Sequence, residues 1–152
     1  CMHGLERWKY GCSCSSKDYQ PILTQELEKL EDSVHEIFNH EGVKHLDDPW
    51  AARDDYINVK LSSISSDDFF REHLTTLSER DKMEKLLEAE YHLQLSFTSC
   101  GWFFSHVSPP TFENIKDAYR TAMLVKESTG KDLSEKIKGL EKIMPKNIRD
   151  MY

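Results

Sequence analysis

The chain has 152 residues, a net charge of −7, and 38% hydrophobic and 31% charged side chains, enough for one soluble domain with a sizeable core. The acidic balance and the lack of a basic stripe argue against a nucleic-acid partner, and no apolar run approaches the ~20 residues of a membrane span. The opening lacks the apolar stretch of a signal peptide, and four cysteines are too few for a disulfide scaffold. A reduced, cytoplasmic setting is expected, and a first residue of Cys1 suggests a fragment of a longer protein.

The opening run, residues 1–14, holds three of the four cysteines, with His3, Arg7 and Trp8 between them. It reads as an irregular segment reaching residue 18, ahead of a helical bundle over 19–152. Leu23, Leu27, Leu30, Val34, Ile37 and Phe38 recur at three- and four-residue spacing, one face of a first helix ended by Gly42. Asp48 and Pro49 read as an N-cap and first helical residue for a helix through Trp50, Tyr56 and Leu61. Ser66, Asp67 and Asp68 open a short helix carrying Phe69, Phe70 and Leu74.

Ser78 with Asp81 predicts a cap for a helix presenting Met83, Leu86, Leu87 and Tyr91. From Tyr91 to Phe97 the apolar residues alternate as in a strand, yet no breaker interrupts the lead-in and the segment is read as helix. Gly101 and the Pro109–Pro110 pair bracket an aromatic stretch. Thr111 is expected to cap a helix with Phe112, Ile115, Tyr119, Ala122 and Met123 on one face, stopped by Gly130. Asp132 and Glu135 predict a capping box for a last helix bearing Leu133, Ile137, Leu140 and Ile143, ended by Pro145. The expectation is an all-α, single-domain bundle of about six helices.

Three stretches could carry chemistry. Cys1, His3, Cys12 and Cys14 offer the thiolates and imidazole that zinc takes in a closed tetrahedral site, with Cys100 able to replace any one; the alternative is free thiols and a surface histidine. Such a site, filled by four protein ligands, would be structural. Residues 98–104 place three aromatics after Gly101: either core, or a flat platform for a sugar ring with Thr98 and Ser99 hydroxyls beside it. Residues 48–56 mix aromatic and charged groups on one helix face, Arg53 four residues from Pro49 and Asp54 four from Trp50; the alternative is an exposed salt-bridged face with Trp50 inside. No carboxylate pair of the glycosidase kind stands out, and there is no nucleophile elbow or phosphate-cradling glycine loop. No complete active site is legible.

Three motifs nonetheless occur in a recognisable order. They are Cys1, His3, Gly4, Arg7, Trp8, Cys12 and Cys14; then Asp48, Pro49, Trp50, Ala52, Arg53, Asp54, Tyr56 and Ile57; then Phe97 through Phe104. Together they resemble the uncharacterised helical domain at the C-terminal side of glycoside hydrolase family 57-like proteins, relatives of α-amylases and α-mannosidases. The resemblance covers residues 1 to about 104, with a helical continuation beyond. It implies a parent whose N-terminal barrel domain carries the catalytic carboxylates, with α-glucan or a related glycan as substrate. His3, Arg7, Trp8 and Trp102 would then face carbohydrate, and the cysteines would hold their loop. After Phe104 the sequence has Ser105 and His106 where the family leads one to expect acids. The alternative role is a metal-stabilised structural or protein-interaction module, which as an isolated fragment would form a homodimer.

Overall fold

The structure, a computed structural model, describes residues 19–144. Their architecture is all-α: α1 (Tyr19–His45), α2 (Pro49–Lys60), α3 (Ser66–His73), α4 (Arg80–Ser96), α5 (Cys100–Phe103), α6 (Pro109–Thr129) and α7 (Ser134–Ile137), with 3₁₀ turns at Leu77–Glu79 and Lys138–Lys142. α5 and α7 are single turns of four residues. No strand occurs among the described residues; one isolated antiparallel bridge, Leu46 to Leu74, ties the end of α1 to the end of α3. No described helix is long and apolar enough to cross a membrane.

α1 buries the stripe expected of it: Leu23, Leu27, Leu30, Val34, Ile37 and Phe38 all lie in the core. α4 lies antiparallel to it, as the pairs His35–Glu90 and Glu41–Lys82 show. α6 runs antiparallel to α4 in the most extensive helix contact of the fold, with the Thr121 hydroxyl donating to the Ala89 carbonyl and His92 meeting Asp117. α2 and α3 cover the other side of α4, where Phe69 and Phe70 are fully buried edge to face. Residues Tyr91–Ser96 are helical: Leu93 turns inward and Leu95 is half-buried, so the alternation is a short accident on a helical face.

Several predicted boundaries shift for identifiable reasons. Gly42 does not end α1, which runs on to His45; a Cβ there would sit 2.8 Å from the Pro49 Cβ, so the glycine lets α2 start against α1. The α2 cap is as expected, with Asp48 Oδ1 accepting from the amides of Trp50 (3.0 Å) and Ala51 (3.1 Å). α3 opens at Ser66 as expected, with Ser65 as its cap accepting from the Asp68 amide. Ser78 and Asp81 form no cap, because a 3₁₀ turn leads directly into α4.

At α6 the N-cap is Ser108, and Thr111 is the third residue of a capping box, accepting from the Ser108 amide at 3.2 Å. Met123 points outward there, while Thr111, Asn114 and Thr121 join the buried face. Gly130 ends α6 in the left-handed region (φ 75°). The last helix is shorter than expected, α7 passing into 3₁₀ turns after one turn. Asp132 accepts from the Ser134 amide there without the predicted box. Pro145 lies outside the described residues.

Candidate functional site

The aromatic stretch forms a tip on α5, fixed by side chains from two other helices. From α1, the Tyr19 hydroxyl lies 3.0 Å from the carbonyl oxygens of both Gly101 and Phe104 and shares its proton between them. Gln20 Nε2 donates to the Trp102 carbonyl, and Trp102 Nε1 donates to Thr24 Oγ1 at 3.1 Å. From α6, Thr111 donates to the Gly101 carbonyl at 2.9 Å, while Asn114 and Thr98 exchange two hydrogen bonds. A four-residue helix cannot hold itself in water; these bonds do it. Burial raises the Tyr19 hydroxyl above its ordinary value, so it stays a donor.

The clamp sorts the aromatics. Trp102 is only 8% exposed and stacks on Phe97 with the planes 11° apart, so it belongs to the core rather than to an open sugar platform. Its indole N–H is spent on Thr24. The aromatics turned outward are Phe103, 63% exposed, and Phe104, 38% exposed. Exposed Cys100 is beside them. Both phenylalanines stand on a backbone turn held by hydrogen bonds from α1 and α6.

The second stretch forms a separate centre at the start of α2. Trp50 packs edge-on against His35 and Phe38 of α1, and the Arg53 guanidinium lies 4.9 Å from the Trp50 ring centre while pairing with Asp54 at 2.7 Å. His35 Nε2 sits 3.3 Å from Glu90 of α4, a carboxylate with no exposed surface. The Glu90 carboxylate facing it holds the His35 imidazole above its ordinary value; burial and Arg53 oppose, while Glu31 adds. Beside this pair Arg53, Asp54 and Tyr56 of α2 and Tyr91, Gln94 and Leu95 of α4 line a cleft of about 450 Å³.

A third polar chain crosses the bundle. Tyr56 donates to Glu88 at 2.7 Å, Lys60 reaches both Glu88 oxygens, and His92 joins Glu88 to Asp117. Burial alone would raise the Glu88 carboxyl; the bonds from Lys60 and Tyr56 and the charges of Lys60 and His92 outweigh it and hold it low. Burial, then the Glu88 carboxylate, pushes the Tyr56 hydroxyl far above its ordinary value. This chain can orient side chains, but it presents no activated nucleophile.

His3, Arg7 and Trp8, expected to face carbohydrate, and Cys1, His3, Cys12 and Cys14, expected to hold metal, lie outside the described residues. Among the described residues no group of three or more His, Cys, Asp or Glu side chains is placed to hold a metal ion. Sequence reasoning found Trp50 and Arg53 and missed His35, Glu90 and the Tyr19–Gln20–Thr24 clamp. The one available signal was polar residues on an apolar stripe: Gln20 and Thr24 flank Leu23, and Glu90 follows Leu86 and Leu87 at helical spacing.

No curated protein and no solved structure matches the chain. The family described as Domain of unknown function (DUF3536) does match, over residues 20–151, a span that takes in every described helix beyond the first residue of α1. By that match the chain belongs to the DUF3536 family.

Proposed function

We propose that this domain is the accessory helical domain of a family 57-like glycoside hydrolase acting on α-glucan or a related glycan. On this reading it is not catalytic alone; the catalytic carboxylates come from a barrel domain outside this chain. The observation that carries the reading is the clamp at Tyr19. That side chain fixes the backbone that presents Phe103 and Phe104. Exposed aromatic rings there suit the apolar faces of a pyranose, with few polar groups to set its orientation. On this reading His3, Arg7 and Trp8 add polar and aromatic contacts to the glycan, and zinc on Cys1, His3, Cys12 and Cys14 would hold their segment.

The test has two arms. Maltoheptaose titrated into the 152-residue chain should shift the Phe103 and Phe104 resonances, and the chain alone should release no reducing sugar from α-glucan. In the longer protein, Trp8→Ala with Phe103→Ala should lower kcat/KM while leaving the melting temperature of this domain unchanged. Hydrolysis by the isolated chain would sink the accessory role, and unchanged kcat/KM would sink the substrate contact. Exposed phenylalanines also suit a protein partner. If glycan shifts nothing and Phe103→Ala abolishes dimerisation of the chain, the interaction-module reading takes over.

A further inference from the structure

Glu90 is the one fully buried carboxylate in the described core, and the proposed glycan surface does not use it. Neither of its oxygens accepts a hydrogen bond; the approach of His35 Nε2 at 3.3 Å is its only ion pair among the described residues. A buried carboxylate is strongly disfavoured without a compensating charge, and among the described residues His35 is the one basic side chain within ion-pair distance of Glu90. His35 is one-third exposed, close enough to solvent to exchange a proton. Its ring is also the edge against which Trp50 packs, at 5.3 Å and 87°, and Trp50 in turn carries the Arg53 guanidinium.

We propose that His35 and Glu90 form a pH-sensitive clasp that seats the first turn of α2, and with it Trp50 and the Arg53-lined cleft, against α1 and α4. With His35 charged, the pair closes and Trp50 is held between His35 and Phe38. With His35 neutral, the buried carboxylate loses its counter-charge, the imidazole turns to water, and the Trp50 contact loosens. The charged groups acting on His35 from the packed elements are Glu31 on its own helix, Arg53 on α2 and Glu90 on α4. Burial and Arg53 oppose the charged form, and Glu90 with Glu31 outweighs them, so the balance favours closure. Because the imidazole titrates above its ordinary 6.5 in the fold, the clasp is fully closed below that pH and opens as pH rises through the elevated value. This inference stands independently of the glycan reading.

The experiment is a pH titration of the 152-residue chain, with ¹³C-labelled histidine, followed by NMR from about pH 5 to about pH 9. His35→Gln assigns the His35 signal and Trp50→Phe the Trp50 indole N–H. The expected result is a His35 midpoint above 6.5, a Trp50 indole shift with the same midpoint, and a downward move of the His35 midpoint in Glu90→Gln. A wild-type midpoint at or below 6.5 would overturn the clasp, as would a Trp50 signal that stays fixed while His35 titrates. A Glu90→Gln protein that folds with His35 unmoved would overturn it too. Should that variant not fold, the two wild-type signals decide the matter by themselves.

Discussion

Replacing Gly101 by alanine should destabilise the fold through a single collision. The new Cβ would stand 2.4 Å from Asn114 Nδ2 and 2.7 Å from its Cγ, well inside contact distance, and Asn114 is only 1% exposed. Two routes relieve the clash. Asn114 can swing away, leaving two buried polar groups unpaired at ~1–3 kcal/mol each, or the tip can shift, with overpacking strain of ~1–3 kcal/mol. The cheaper route is the second, and with three Asn114 atoms at 2.4–3.0 Å from the new Cβ its cost falls in the upper part of that range, ~2–3 kcal/mol. Alanine returns ~1 kcal/mol through helix propensity and a less free unfolded chain. The net loss is therefore ~1–2 kcal/mol, a melting temperature lower by about 3–8 °C for a chain of this size. Thermal melts of Gly101→Ala, Asn114→Ala and the double variant test the cause. With Asn114 already shortened, adding Gly101→Ala should be neutral or slightly stabilising, a coupling of ~1–3 kcal/mol. A single variant that melts like wild type, or additive losses, would refute the reasoning.

Other perturbations have equally local outcomes. Asp48→Ala removes the two cap bonds of α2 and should lower stability by ~1 kcal/mol in urea titrations, with Asp48→Ser recovering most of it. Gly130→Ala meets no atom within 4 Å, so its loss of ~1–2 kcal/mol would come from the left-handed backbone alone, and Gly130→Asn should lose less. Acid should act through Glu41, whose carboxyl is held down to about 2 by the Lys82 ammonium, with Lys44 and His40 helping. A lowered folded value means that its contribution is present above the ordinary 4.5 and disappears as pH falls toward about 2. The stability of Glu41→Gln should accordingly change less than that of wild type between those values.

Helices and their buried faces were legible because a repeat of 3.6 residues is a local property, and Leu23 through Phe38 show it without help from the rest of the chain. Caps were legible where the chemistry is strictly local, as at Asp48 and Gly130. Gly42 was misread because its purpose, room for Pro49, depends on how α2 turns back over α1. Site residues were harder for the same reason. Tyr19 and Gly101 are 82 positions apart, and nothing near Trp102 in the sequence says that Thr24, 78 positions earlier, will take its indole proton. The aromatics at 102, 103 and 104 look equivalent in the sequence; only the packing of α5 decides which one turns inward.

The tip also has a place in time. The bonds that pin α5 come from α1 or α6, from residues 10 to 85 positions away in the chain, so they cannot form until those two helices are already packed beside α4. Its four residues supply no nucleus of their own. α5 is then a late-forming piece, absent from the folding transition state and a latch on the native one. Tyr19→Phe, which deletes the shared hydroxyl, should speed unfolding in stopped-flow experiments and leave the folding rate untouched. Slower folding would place the tip in the nucleus instead. On that ordering, the surface where Phe103 and Phe104 are displayed is expected to open before the α4–α6 pair does.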